Sequence, residues 1–521
     1  MWVPSGFGWS RRLGTKPRDS SKPNRWLLGA SALQEGIKAV AIGKHGVKPV
    51  PESIFGALKE ELESVERQLQ VFRMELSENC VSASVDVPDM AQVAQRASFI
   101  ASLFLKHELL PAEGSLILDH VPNKNASLRR GRERNGCYAS DVLQMLCPHL
   151  LPTSRAFQWG VRLLSADTLN VEEARELAAM VLCCTPETLE SPAADAADII
   201  SFRALTMHTM RVRHETSEEL LGMARAANEL INPQFQIRPG IQSTSARNRY
   251  AQLAEPFDGF ERPGCFLMTP IIGWHLQQRW GIENIVGAVG DSPGPKYGPN
   301  LKVVTEQLHE RLGPYRDAVR FARGLGDVFL PKTLDERLFV LFDQAWVCPS
   351  LHNMLLLRRS IVKRPGWSTV EKFVGCLSGQ CSLLIASAFH PPYSQRMVDV
   401  AMRLELPGAM IIRKGVEGTL SVSPDSSGAE ITCCARRADG TYEQIEMKVK
   451  PKLHCAKAGL LSDAESIGPL TASENATLLA NYYHSQSSCG HVFFDAVIQA
   501  TLECIDHGMQ WLMDRIGDDL V

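Results

Sequence analysis

The sequence predicts an α/β protein. A smaller helical domain precedes a larger domain with a mostly parallel central sheet, and a further helical extension stands at the N-terminus. Three observations carry this. Beyond Gln236, short apolar runs (285–289, 383–389, 409–412) alternate with amphipathic stretches (300–312, 393–404, 473–484, 492–507). That alternation is the signature of βαβ units. Ahead of it, capped helical segments follow one another. Within the alternating region, Gly287-Ala-Val-Gly-Asp-Ser-Pro-Gly-Pro-Lys-Tyr-Gly298 lies after an apolar run and before a helical stretch. Glycine lets a backbone approach a ligand, and a helix start offers free N–H groups to an anion. The same residues also serve any tight strand-to-helix turn.

The elements follow in order. Residues 1–34 carry Arg11, Arg12, Lys16, Arg18, Lys22 and Arg25 against the single acid Asp19. A basic, acid-poor start without an apolar core is either an organelle transit segment or a disordered tail. The first implies an organelle such as a plastid, the second a cytoplasmic chain. Residues 35–150 form the extension. In it Ile54, Leu58, Leu62, Val65, Leu69, Phe72 and Leu76 recur at helical steps, with Lys59, Glu60, Glu61, Glu63, Glu66 and Arg67 opposite. This stripe either packs on its own domain or meets a partner helix. A second helix fits 90–108, and the basic stretch 123–135 reads as a solvated loop. Residues 155–232 form the helical domain. Acids follow the capping residues after Asp167, a second helix starts at Asp195, and Thr216-Ser-Glu-Glu219 is a capping box. Residues 235–521 form the α/β domain, where Asp439-Gly440 joins two β-like runs as a hairpin.

Composition excludes several classes. The chain has 521 residues, 45% hydrophobic and 22% charged, with a net charge of −3. No global basic field favours nucleic acid, and no uncharged run approaches the roughly 20 residues of a membrane helix. The 14 cysteines contain no CxxC, so metal-site spacing is absent and they read as buried thiols in a reducing compartment. Asn125-Ala-Ser and Asn475-Ala-Thr match the glycosylation pattern by chance.

Met210-Arg-Val-Arg-His-Glu-Thr-Ser-Glu-Glu-Leu-Leu-Gly222 resembles a signature of the anthranilate phosphoribosyltransferases of glycosyltransferase family 3. Further landmarks come in that family's order: Pro256-Phe-Asp-Gly259, the loop 287–298, the segment 349–364, Phe389-His-Pro-Pro-Tyr393, Lys414-Gly-Val-Glu-Gly418 and Ser473-Glu-Asn-Ala476. The resemblance covers about 155–521. Together with Pro295-Lys-Tyr-Gly and Lys363-Arg-Pro, the set is similar to a divergent branch seen in photosynthetic lineages. Lys44-His-Gly46 imitates a family loop but stands in the wrong order.

The resemblance implies a nucleoside-phosphorylase-like α/β domain and a homodimer through the helical domain. It implies transfer from phosphoribosyl pyrophosphate or a related phosphorylated sugar to an aromatic or nitrogenous acceptor, conventionally in tryptophan biosynthesis. Donor-binding residues would be Asp258, Gly259, Gly290, Asp291, Lys296, Tyr297 and Gly298. Arg358, Arg364 and His390 would face the acceptor. Two departures stand out. Where the family has a GTGGD-like phosphate loop, this chain has Glu255-Pro-Phe-Asp-Gly259. Proline removes an N–H donor, phenylalanine adds bulk, and Glu255 would repel phosphate. Where the family has a magnesium-holding Asp-Glu pair, Leu420 and Ser421 stand. Glu417 is the acid left to hold Mg2+ there. The alternative is therefore a catalytically degenerate relative that binds a phosphorylated ligand, nucleic acid or a protein partner.

Overall fold

The structure is a computed structural model. It describes residues 31–40, 49–77, 88–106, 109–118, 130–134, 136–233, 250–255, 265–291, 299–322, 338–361, 365–375, 383–416, 418–423, 428–450 and 468–516. Residues 1–30 of the transit-like segment lie outside them, while its last residues, from Ala32, begin the first helix.

The chain begins with helices. The extension contributes α1 (Ala32–Val40), α2 (Phe55–Ser77), α3 (Met90–Leu105), α4 (Pro111–Leu118) and α5 (Ala139–Leu146). Leu58, Leu62, Val65 and Leu69 of α2 are buried in this chain's own core, beside α1 and α3. The apolar stripe is thus an intramolecular face, and the large apolar residues Val71 and Met74 stand exposed off it. Burial continues in α3, where the whole run from Val93 to Phe104 is buried and packs along a helix of the next domain.

That domain comprises α6 (Arg155–Leu164), α7 (Val171–Leu182), α8 (Ala196–Arg213) and α9 (Ser217–Glu229). Its starts are set by short polar side chains that satisfy first-turn N–H groups. Asn170 with Glu173, Asp195 with Asp198, and Thr216 with Glu219 each form a reciprocal box. The cap of α7 is therefore Asn170, three residues past the Asp167 that opens the polar run. Arg73 of α2 donates to Asp195 (3.0 Å) and Asp198 (3.2 Å), which fastens the extension to the start of α8.

The α/β domain runs β1 (Tyr250–Ala254), α10 (Thr269–Arg279), β2 (Asn284–Val289), α11 (Leu301–Arg311), β3 (Arg320–Ala322) and β4 (Leu338–Asp343). Three short helices follow, α12 (Gln344–Val347), α13 (Pro349–His352) and α14 (Met354–Ser360), then α15 (Trp367–Val370). The chain ends with β5 (Leu383–Ala388), α16 (Pro391–Arg403), β6 (Gly408–Arg413), β7 (Ala429–Arg436), β8 (Tyr442–Val449), α17 (Ala472–Ser485) and α18 (Val492–Met513). The sheet order is β8-β7-β6-β5-β1-β2-β4-β3. The six strands from β6 to β3 are mutually parallel, while β7 and β8 add antiparallel. The hairpin foreseen around Asp439-Gly440 is real, with Gly440 at φ 83°, and it extends the sheet as its edge.

Side-chain alternation divides two cores. Ala409 and Ile411 of β6, with Leu384 and Ala386 of β5, join the core shared with α1–α9 and α16. Met410 and Ile412, with Leu383 and Ile385, join the core under α10, α11, α17 and α18. Asn475 is buried there, accepting from the backbone N–H of Leu267 (2.9 Å) and donating to its carbonyl (3.2 Å), so it is a packing residue. The ten described cysteines carry no disulfide. Among the described residues no helix is long and apolar enough to cross a membrane.

Candidate functional site

The parallel strands all end on one edge of the sheet. β1 pairs with β2 on one side and with β5 on the other, so the connection order reverses at β1. Ligands of open parallel sheets bind beyond the carboxyl ends at such a reversal. The residues expected at the site follow these ends. Asp258 and Gly259 come after β1, and Gly290, Asp291, Lys296, Tyr297 and Gly298 after β2. Arg358 and Arg364 come after β4, His390 after β5, and Glu417 after β6. Of these, Asp258, Gly259, Lys296, Tyr297, Gly298, Arg364 and Glu417 lie outside the described residues.

Gly290 and Asp291 anchor a polar cluster. Asn300 caps α11 by accepting from the Val303 N–H (3.2 Å), and its amide donates to the Gly290 carbonyl (3.0 Å). The start of α11 is thereby tied to the start of the glycine loop. At the second position of that helix, the Lys302 ammonium lies 2.9 Å from Asp291 and 2.7 Å from Asp343. His352 Nε2 lies 3.3 Å from the other oxygen of Asp291. Asp343 is 4% exposed and also caps α12 through the Ala345 N–H (3.0 Å). Burial pulls the Lys302 pKa down, but hydrogen bonds to Asp343 and Asp291 outweigh it and hold the pKa above the usual lysine value. Beside Asp343, Gln344 is buried, and neither of its amide atoms is hydrogen-bonded among the described residues. Sequence patterning misses Lys302, Asp343 and His352 because the contacts join distant segments.

Glu255 corrects an expectation. It is 3% exposed, with its carboxylate turned inward. It accepts from the Thr269 hydroxyl (2.5 Å) and from the Leu420 N–H (2.7 Å). It therefore braces β1 against α10 and the turn after β6, and does not present charge to a phosphate. Burial pushes its pKa up to about 7, despite those bonds. Leu420 is fully buried, and the Ser421 hydroxyl donates to the Phe266 carbonyl. The two positions that would hold magnesium are thus packed, and these residues do not fit the ion.

Arg358 is a second correction. It is 6% exposed, and its guanidinium bonds Glu371 (2.5 Å) and Ser368 (3.1 Å). The charge expected to meet an acceptor carboxylate is matched internally. His390 precedes α16, its ring 5.4 Å from that of Phe389 and 6.4 Å from that of Tyr393. The Tyr393 hydroxyl donates to Glu215 and accepts from Arg211 (2.9 Å). Burial, then the charge of Glu215, holds the Tyr393 hydroxyl well above its ordinary pKa. This knot joins the α8–α9 turn, part of the signature segment, to the end of β5.

Among the described residues, one trio has metal-ligand proximity: His149, Asp195 and Asp198. His149 Nδ1 lies 2.8 Å from Asp198, but Arg73 already bonds both acids. A guanidinium fills the place of a cation.

No protein-family model matches the chain. An uncharacterized protein of Aquifex aeolicus (strain VF5) is 28% identical over 217 residues, 42% of this chain and 56% of the relative. The match thus spans little more than half of that relative's length. The anthranilate phosphoribosyltransferase (TrpD) of Thermus thermophilus is 14% identical, with TM-score 0.37 over 68% of this chain and 98% of that one. The Saccharomyces cerevisiae enzyme in complex with PRPP and Mg is 12% identical, with TM-score 0.46 over 68% and 88%.

Proposed function

We propose that the edge beyond β1, β2 and β4 binds a phosphorylated pentose of the phosphoribosyl pyrophosphate type. The chain then transfers the sugar to an aromatic or nitrogenous acceptor. The observation that carries this is the Gly290–Asp291–Lys302–Asp343 cluster at the carboxyl ends of β2 and β4, next to β1, where the strand order reverses. Asp291, half exposed, offers an acceptor to sugar hydroxyls. Lys302, bonded to both Asp291 and Asp343, fixes Asp291 in place beside the glycine loop. In the transfer, the bond from C1 to pyrophosphate breaks as the acceptor nitrogen bonds C1. His390, at the end of β5, is the group to take the proton released from that nitrogen. Following the resemblance, the acceptor is anthranilate, and two copies pair through the helical domain.

A second reading has its own support. Glu255, Leu420 and Ser421 are packed where the family's phosphate loop and metal acids stand, which favours a chain that binds the ligand without transferring it. Calorimetric titration of phosphoribosyl pyrophosphate, with and without Mg2+, tests both readings. Micromolar binding that weakens at least tenfold in Lys302→Met is expected. An undiminished Lys302→Met, or no heat at millimolar donor in either condition, defeats the assignment. Binding without product in an anthranilate assay selects the second reading.

A further inference from the structure

At the joint between the helical domain and the segment that follows β4 stands a largely buried guanidinium for which no carboxylate partner is found among the described residues. Neighbouring buried arginines are matched: Arg96 by Glu66, Arg213 by Glu219 and Arg358 by Glu371. Arg203, in the middle of α8, is only partly exposed, and no described carboxylate pairs with it. Its Nε is shielded from solvent and bonds nothing among the described residues. Its Nη2 rests on the thioether of Met354 in α14, a weak acceptor. Its electrostatic neighbours are the thiols of Cys183 and Cys184. Burial raises the Cys184 pKa to about 12, so that thiol carries no compensating charge. An independent feature lies one turn on. Thr206 is 2% exposed, and its hydroxyl has no hydrogen-bond partner among the described residues. Residues three apart on a helix share a face. The Cys183 thiol is 3.9 Å from the Ser350 hydroxyl of α13, so α13 borders the same joint.

We propose that Arg203, with Thr206, binds the carboxylate of a small aromatic acid that enters between α8 and the α13–α14 segment. A desolvated cation left unpaired is costly, and an anionic ligand removes that cost. One guanidinium and one hydroxyl suit the two oxygens of a monoanion. A phosphate dianion fits worse, because Cys183 ends α7 and helix carboxyl ends disfavour negative charge. Met354 and the two thiols supply a polarizable wall for a ring. The inference rests on the transferase reading for the identity of this acid as the acceptor. It moves acceptor recognition from the sealed Arg358 to Arg203.

The test is calorimetric titration of anthranilate, with benzoate alongside, into the full chain and into Arg203→Met and Arg203→Lys, each with and without phosphoribosyl pyrophosphate. Saturable binding by the unaltered chain is expected. It should weaken at least tenfold in Arg203→Met and by an intermediate amount in Arg203→Lys. Donor binding should be unchanged, and Arg203→Met should melt no lower than the parent. Anthranilate affinity within twofold of the parent in Arg203→Met overturns the proposal. So does a parent that binds neither acid, or a collapse of melting temperature in Arg203→Met, which would make the arginine a strut. If Arg203-dependent acid binding persists while the donor fails to bind, the subsite stands and the transferase reading falls.

Discussion

Glu255 ties acidity to stability at a single residue. Its folded pKa of about 7 lies above the roughly 4.3 of an unfolded glutamate. Between those values the folded chain holds a proton that the unfolded chain has released. Stability is therefore full below about pH 4, falls as pH rises toward 7, and levels off above. The gap corresponds to on the order of 4 kcal/mol. Glu255→Gln should remove this residue's share of the slope, so that urea-unfolding free energy falls less between pH 5 and 8 than in the parent. Parallel pH profiles for the two proteins would contradict the assignment. The sequence marks this residue as an acid beside a loop, but it cannot show where the side chain turns. That depends on Thr269 and on Leu420, which is 165 positions away. The same holds for Lys302, whose bond to Asp343 spans 41 positions, and for Arg358, whose partner Glu371 fills the place expected for a substrate.

At the level of elements, the crossing of α7 and α9 turns on Gly222. A Cβ there would lie 2.3 Å from the Val171 carbonyl and 2.7 Å from the Ala174 Cβ. Gly222→Ala must push the helices apart and should cost roughly 1–3 kcal/mol. Gly56 in α2 is the contrast, because a Cβ there meets nothing within 4 Å. Gly56→Ala should stabilise by up to about 1 kcal/mol through helix propensity. Urea midpoints moving in opposite directions would bear out both, and a common direction would refute the packing argument. Local pattern serves best where one rule dominates. Leu58, Leu62, Val65 and Leu69 keep helical steps, and β2, β5 and β6 are buried on both faces, so they read as continuous apolar runs. β1 escapes such patterning because Gln252 interrupts it. That glutamine is tolerated inside since its amide donates to the Lys372 carbonyl (3.0 Å), a contact no local rule foresees.

In the whole molecule, the extension is structural. One core runs from Leu33 of α1 through the helical domain to Cys434 of β7. Removing residues 1–150 would strip α3 from α8 and expose that core to water. The remaining 151–521 should give no cooperative melting transition and should aggregate on expression. A soluble fragment with a sharp transition would show the extension to be dispensable.

The sheet order has a consequence during synthesis. β1 is central, yet it is the first strand of the sheet to leave the ribosome, and β5, which covers its second edge, begins at Leu383. At about 5–20 residues per second, the roughly 130 residues between them leave that edge uncovered for on the order of ten seconds. An open apolar edge invites pairing with other nascent chains. β1, paired on both edges in the finished sheet, is thus a strand that calls for protection while the chain is being made.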